Sequence, residues 1–377
     1  MSQIGWVNFG RHEAEAVQAL IGALTDSDAR DELGLGTIRD GFSDLLFPGT
    51  STVQTRLRYF VLLPGLFQKA AAQGGDAARA LREVETQLIK DFDDLRVKPD
   101  VDLKGLIGSE VKGALKRMPS AVYWSGLGAW QIRLPEWRRA TPVEVIEAMR
   151  QRRTCWAEFS GEAGHGFFLS PDERDWLVEK IAALASEQGG TLLGHLVQRW
   201  KNNKDPVPDL WDLSRVIDPG PQIAEQLRQA LDFSQLTYGA RILYNLMLAE
   251  HFKHDRLDDY KKAFSEWCDK PITGPANIQE RIKALIVRGP SIGFRLNPQT
   301  EDFLDKWLEF ALGPKGGDEI QRARALIKQR EKSVKTEKRA RLFMDPAYPW
   351  SGSSGAGRFD YRWGRVKQYL EDLGKAK

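Results

Sequence analysis

Gly36–Leu63 reads GTIRDGFSDLLFPGTSTVQTRLRYFVLL, and the fold is best read outward from it. Asp40-Gly41 and Pro48-Gly49 are turn signals, since glycine tolerates a positive φ and proline presets its own. Between them Phe42, Leu45, Leu46 and Phe47 form a short apolar run at helical spacing. Thr50, Ser51 and Thr52 follow, and any of these hydroxyls can accept an orphan N–H at a helix start. Val53, Leu57, Phe60 and Val61 recur at steps of three and four, the mark of one buried helix face. The spacing predicts a helix from the hydroxyl cluster to about Leu63, where Pro64 stops or kinks it. Arg56 and Arg58 have two readings. At a hydroxyl-rich helix start they are candidate phosphate contacts. Otherwise they pair with Asp40 and Asp44 and fasten a packed helix.

Three blocks of this stretch, Phe42–Leu45, Phe47–Thr52 and Gln54–Arg56, resemble an uncharacterised bacterial protein family. Gly105–Ser109 followed by Pro119–Leu127 (PSAVYWSGL), and Tyr361–Trp363 near the C-terminus, resemble it too. The similarity spans most of the chain. It implies members encoded near phage-defence genes such as helicases and nucleases, and it carries no catalytic residue across.

The second block has a reading of its own. Glu110–Arg117 predicts a short helix, Pro119 opens the next, and Ala129–Leu134 alternates as a strand. Helix, turn, helix, strand is the order of a winged helix-turn-helix unit. Lys112, Lys116 and Arg117 fall near the turn, with Tyr123, Trp124 and Trp130 close by. Basic and aromatic residues together suit nucleic acid. The alternative is a small packed helical knot with solvated lysines.

Helical spacing recurs along the remainder: Glu13–Leu24, Ala77–Leu95, Thr141–Arg152, Pro171–Glu187, Thr191–Trp200, Ile278–Val287, Thr300–Leu312 and a last helix from Trp363 to Leu373. Ile223–Leu231 and Gln235–Phe252 read as a helical pair, and Ile4–Phe9 as a short strand. Beyond Asp318 the charge shifts. Over residues 319–341, nine cations stand against Glu319, Glu331 and Glu337, along a thin seam of Ile320, Ala323, Ile327 and Val334. Such a helix binds phosphates, docks on an acidic partner, or braces two domains as a solvated rod.

Composition bounds the rest. The chain has 377 residues, 42% hydrophobic and 28% charged, with a net charge of only +3. That is ordinary globular composition, and any case for nucleic acid must come from local clusters. Cys155 and Cys268 are the only cysteines, too few for a disulfide scaffold or a thiolate zinc site, which fits a reducing cytoplasm. No signal-peptide core opens the sequence, and the longest apolar run, Tyr59–Phe67, is too short for a membrane helix. Enzyme motifs are missing as well. There is no Gly-x-Ser-x-Gly, Walker loop or dinucleotide fingerprint. His251, His254 and Asp255 cluster at a helix end, without the further Cys or His that a metal site needs. The nearest nuclease-like pattern is Asp100, Asp102 and Lys104, but its elements overlap instead of lying on successive strands.

These observations predict a mainly α, multi-helical protein with a few short strands and a winged helix-turn-helix-like unit in its N-terminal part. Three consecutive domains are expected, 1–140, 141–270 and 271–377. The expected function is a non-enzymatic, cytoplasmic subunit of a bacterial phage-defence system. It would bind DNA non-specifically, together with defence proteins such as a helicase or nuclease, and would have no membrane segment, metal or cofactor. The expected contacts are Arg56, Arg58, Lys112, Lys116, Arg117, Arg324, Lys328, Lys332, Lys335, Lys338 and Arg339. Two alternatives stand beside it: a protein-only scaffold or regulator, and a metal-dependent nuclease built on Asp100, Asp102 and Lys104.

Overall fold

The computed structural model describes residues 31–94, 105–108, 117–164, 166–184, 190–202, 205–270, 297–335 and 339–376. Helix dominates them. In chain order the helices are α1 (Gly36–Leu46), α2 (Tyr59–Ala72), α3 (Ala77–Asp94), α4 (Pro119–Ala129), α5 (Pro142–Arg150), α6 (Pro171–Ala182) and α7 (Leu192–Trp200). The series continues with α8 (Leu213–Val216), α9 (Pro221–His251), α10 (Leu257–Asp269), α11 (Pro298–Leu312), α12 (Gly317–Val334) and α13 (Trp363–Gly374). No strand is found among the described residues, only an isolated antiparallel bridge between Arg133 and Trp156. The expected strand Ala129–Leu134 is therefore a turn, with Gln131 at φ 52°. Residues 4–9, 110–116 and 278–287 lie outside the described residues, and with them the first helix of the winged-helix expectation.

Helix starts follow local chemistry. Thr141 and Glu144 form a reciprocal capping box with Pro142 at the first helical position, and Ser170, Glu173 and Pro171 repeat it on α6. Thr191 and Asn297 cap α7 and α11. Each satisfies N–H groups that have no partner inside the helix.

The organising stretch departs from its expected form. Asp40-Gly41 lies inside α1, and Pro64 lies inside α2. Residues 50–58 are not helical at all, and Val53, expected on a buried face, is 44% exposed. The reason is tertiary. Buried backbone must be hydrogen-bonded, and here side chains serve instead of a helix ladder. The Tyr123 hydroxyl accepts from the N–H groups of Thr55 (2.8 Å) and Arg56 (3.0 Å) and donates to the Arg56 carbonyl (2.8 Å). Gln54 Oε1 accepts from Ser51 N (2.8 Å) and the Tyr369 hydroxyl (2.8 Å). The Trp130 indole donates to the Pro48 carbonyl at 2.9 Å, and Arg365 donates to the Thr55 carbonyl at 2.9 Å.

The chain divides into two compact units, interleaved along the sequence where three consecutive domains were expected. One gathers Phe42–Leu227 and Asp360–Lys377, the other Met1–Gly41 and Arg228–Phe359. We call them the motif unit and the basic unit. The motif unit is centred on rings: Phe60 stacks on Trp130 (3.8 Å between centroids) and meets Tyr123 edge-on (4.9 Å). Gly126 on α4 permits this packing. A Cβ there would lie 2.5 Å from the Gly49 carbonyl oxygen and 2.8 Å from the Phe60 ring. The basic unit packs around α9, one 31-residue helix where a helical pair was expected. Trp267 of α10 stacks on Trp307 of α11, and their indoles donate to the Gln235 and Leu236 carbonyls of α9.

Glu85 of α3 is an unusual cap. Its carboxylate accepts from Ser120 N (2.6 Å) and Ser120 Oγ (3.0 Å) at the start of α4. Burial pushes this carboxyl up to about 7, against the pull of the two hydrogen bonds. An acid whose folded pKa is raised keeps its proton in the fold after the unfolded chain has lost it. Its contribution to stability therefore falls as pH rises from about 4.5 toward 7, then levels off. Urea unfolding at intervals between pH 4.5 and 8 is expected to show this loss in the wild type. The difference from Glu85→Gln should amount to a few kcal/mol, about 1.4 per pKa unit.

Candidate nucleic-acid interface

The eleven cations expected to meet nucleic acid separate sharply. Arg56 and Arg58 are 3% and 4% exposed, so neither is presented to a polyanion. Arg56 Nε meets Asp372 of α13 at 3.0 Å and 3.2 Å, and Asp372 also accepts the Leu57 N–H at 2.8 Å. Burial pushes the Asp372 carboxyl up, and Arg56 pulls it back down. Arg58 pairs with Glu173 (3.3 Å) and donates to the Gly164 and Gly166 carbonyls. A buried guanidinium needs this compensation. The pairing is thus structural, with Asp372 and Glu173 standing where Asp40 and Asp44 were expected. Asp44 instead meets Arg362, and Asp40 meets Arg39.

Around α4 the expected ring platform is absent. Tyr123 and Trp130 are fully buried in the core, and Trp124 is half-buried beneath Arg133. Arg117 is exposed, while Lys112 and Lys116 lie outside the described residues.

The basic helix α12 has two faces. Its inner face buries Ala323, Ile327, Arg330 and Glu331. Arg330 donates to the Leu33 carbonyl (2.7 Å), the Gly34 carbonyl (3.2 Å) and Thr300 Oγ1 (2.8 Å). Glu331 accepts from the Tyr244 hydroxyl (2.6 Å) and from the N–H groups of Arg341 (2.7 Å) and Leu342 (3.1 Å). Toward the edges more of the cations are engaged. Arg324 is bidentate on Glu250 at 2.6 and 2.8 Å, and Glu32 holds both Lys335 and Arg341. Arg324 and Lys335 are thereby corrected from polyanion contacts to internal ties.

The outer face keeps Gln321, Arg322, Ala325, Lys328, Gln329, Lys332 and Ser333 exposed, and Arg339 is exposed farther along. Lys332 Nζ lies 5.8 Å from the centre of the Phe343 ring. Phe343 is 43% exposed and Tyr348 64%. Among the described residues these are the only aromatic rings in the exposed class. Lys338 lies outside the described residues. Among the described residues, Lys328, Lys332 and Arg339 are the exposed members of the original set in the basic unit, with the Phe343 ring beside Lys332. The aromatic, proline-rich run 344–350 was the sequence signal for that segment.

The arrangement is a cationic helix face beside one exposed ring, Phe343, which can hold phosphates and stack a base. His251, considered as a ligand, has its Nε2 2.7 Å from the Met344 carbonyl. Among the described residues no three His, Cys, Asp or Glu gather in a metal-holding group, and no helix is long and apolar enough to cross a membrane. Asp100, Asp102 and Lys104 lie outside the described residues. The molecule is thus a mainly α-helical protein, with a basic outer face on α12 and the exposed Phe343 ring beside it. The chain belongs to the family of unknown function DUF6361, whose model matches residues 1–377. No curated protein and no solved structure matches it.

Buried and exposed cations predict opposite responses to mutation. Arg56→Met leaves Asp372 buried without its counter-ion and is expected to cost about 3–5 kcal/mol in urea unfolding. Replacing the exposed Lys328 by Gln should change stability by less than about 0.5 kcal/mol in the same measurement.

Proposed function

We propose that this protein is a non-enzymatic DNA- and partner-binding subunit of a bacterial phage-defence system, acting in the cytoplasm beside proteins such as a helicase or nuclease. One observation carries the DNA reading: Lys328 and Lys332 line the outer face of α12, and Lys332 abuts the exposed Phe343 ring. Lysines there neutralise phosphates whatever the base sequence, and rings beside them favour stretches whose bases can unstack. The defence context rests on the resemblance of the motif blocks. The helix-turn-helix part of the expectation, without the wing strand that residues 129–134 do not form, belongs to this proposal as a second place for DNA, with Arg117 exposed ahead of α4.

A scaffold reading has its own support. Glu250 and Glu32 already hold Arg324, Lys335 and Arg341 in the manner of an acidic partner. In that case α12 docks on protein, and Lys328 and Lys332 meet carboxylates.

Fluorescence anisotropy with labelled single- and double-stranded oligonucleotides, over a salt series, separates the two. For DNA binding, Lys328→Glu with Lys332→Glu should flatten the log–log salt slope by about 1.8 on duplex, at about 0.9 per phosphate contact. Absence of binding, alone or with a copurifying partner, would refute the DNA reading. Loss of the partner with DNA affinity intact would favour the scaffold.

A further inference from the structure

A second candidate site lies in the motif unit, at the C-terminal end of α4. Trp124, Gly128, Arg133, Arg138, Arg139 and Thr141 line an open cavity of about 520 Å³, within the range of small-molecule sites. Its floor is Arg133, only 3% exposed. The guanidinium carbon lies over the Trp124 ring, 3.9 Å from its centre. Nη1 donates to the Ala140 carbonyl (3.2 Å) and Nη2 to the Arg138 carbonyl (3.3 Å). Nε is buried and has no partner among the described residues. Gly128 makes the seat: a Cβ there would lie 2.5 Å from Nη2.

The charge balance is what singles this site out. Arg56 and Arg58, equally buried, each have a carboxylate. Arg133 has none within ion-pair distance among the described residues, and burial pulls its pKa down with no acid to oppose the shift. Glu144, on the adjoining helix start, has its carboxylate committed to Thr141 N (2.7 Å) and Thr141 Oγ1 (2.9 Å). Arg138 and Arg139 add two exposed cations at the rim, also without a carboxylate partner among the described residues. A buried cation without a counter-ion is costly to keep. Three guanidinia around one cavity fit an anion with several acceptor oxygens.

We infer that this cavity binds a phosphate group, with Arg138 and Arg139 gripping it from the rim and Arg133 supplying fixed positive charge below. The group comes from one of two sources, a small phosphorylated molecule or the phosphorylated end of a nucleic acid. The inference does not depend on the reading of α12, because its residues belong to the other unit.

Titration calorimetry of the full chain with inorganic phosphate, at ionic strength matched with sodium chloride, tests it. Saturable binding is expected. Arg138→Gln with Arg139→Gln should weaken it by at least about tenfold, the loss of charge-assisted hydrogen bonds, and thermal unfolding would confirm that the variant folds. A 5′-phosphorylated oligonucleotide that competes where its 5′-hydroxyl counterpart does not would name the nucleic-acid end as the source. Competition by neither would name the small molecule. Absence of saturable phosphate binding, or equal binding by wild type and the double variant, overturns the proposal.

Discussion

The motif unit depends on burying a strip of irregular backbone. Residues 48–58 run without helix or strand, and where they are buried, at Thr50, Gln54 and Arg56–Arg58, many of their N–H and C=O groups find side chains. Tyr123, Gln54, Trp130, Arg365 and Asp372 answer that need, from α4, α13 and the strip itself. The Arg56–Asp372 pair joins residues 316 apart in sequence. Removing either charge strands the other, which is why such pairs fix an arrangement more than they add stability. The absence of side chains at Gly49 and Gly126 belongs to the same constraint, because a Cβ at Gly49 would meet the Trp130 indole and one at Gly126 the Gly49 carbonyl oxygen. The residues that carry the family resemblance are therefore, in this structure, the ones that close the fold.

Much of the helical architecture was legible from local chemistry. Thr141-Pro142 with Glu144, Ser170-Pro171 with Glu173, and apolar steps of three and four need only neighbours in sequence to act. The strip 50–58 misled because its apolar spacing is also compatible with helix, and nothing nearby reveals a tyrosine 68 residues away taking the N–H groups. Pro64 misled in the opposite direction: packing of Phe60, Leu63, Leu66 and Phe67 holds the helix through it. The alternation in Ala129–Leu134 records burial of Trp130 and Ile132 at a turn instead of sheet pairing.

The interface was half legible for a related reason. A run of cations is visible in sequence, but the acids that neutralise it are not. Glu32 lies about three hundred residues before Lys335, and Glu250 is 74 residues before Arg324. Only folding reveals which cations turn inward. Burial likewise separates Arg133 from the many other arginines of the chain, since its sequence neighbours give no hint that it lies under a cavity without an acid.

Glu331 carries a consequence beyond its own hydrogen bonds. One carboxylate gathers the amides of Arg341 and Leu342, and the next residue on α12 is Lys332, over whose amine the Phe343 ring lies. Amine and ring are thus tied to the same carboxylate-bearing turn of the helix. The placement of an outward amine and ring is accordingly governed from inside the protein, by a carboxylate that has no exposed surface of its own.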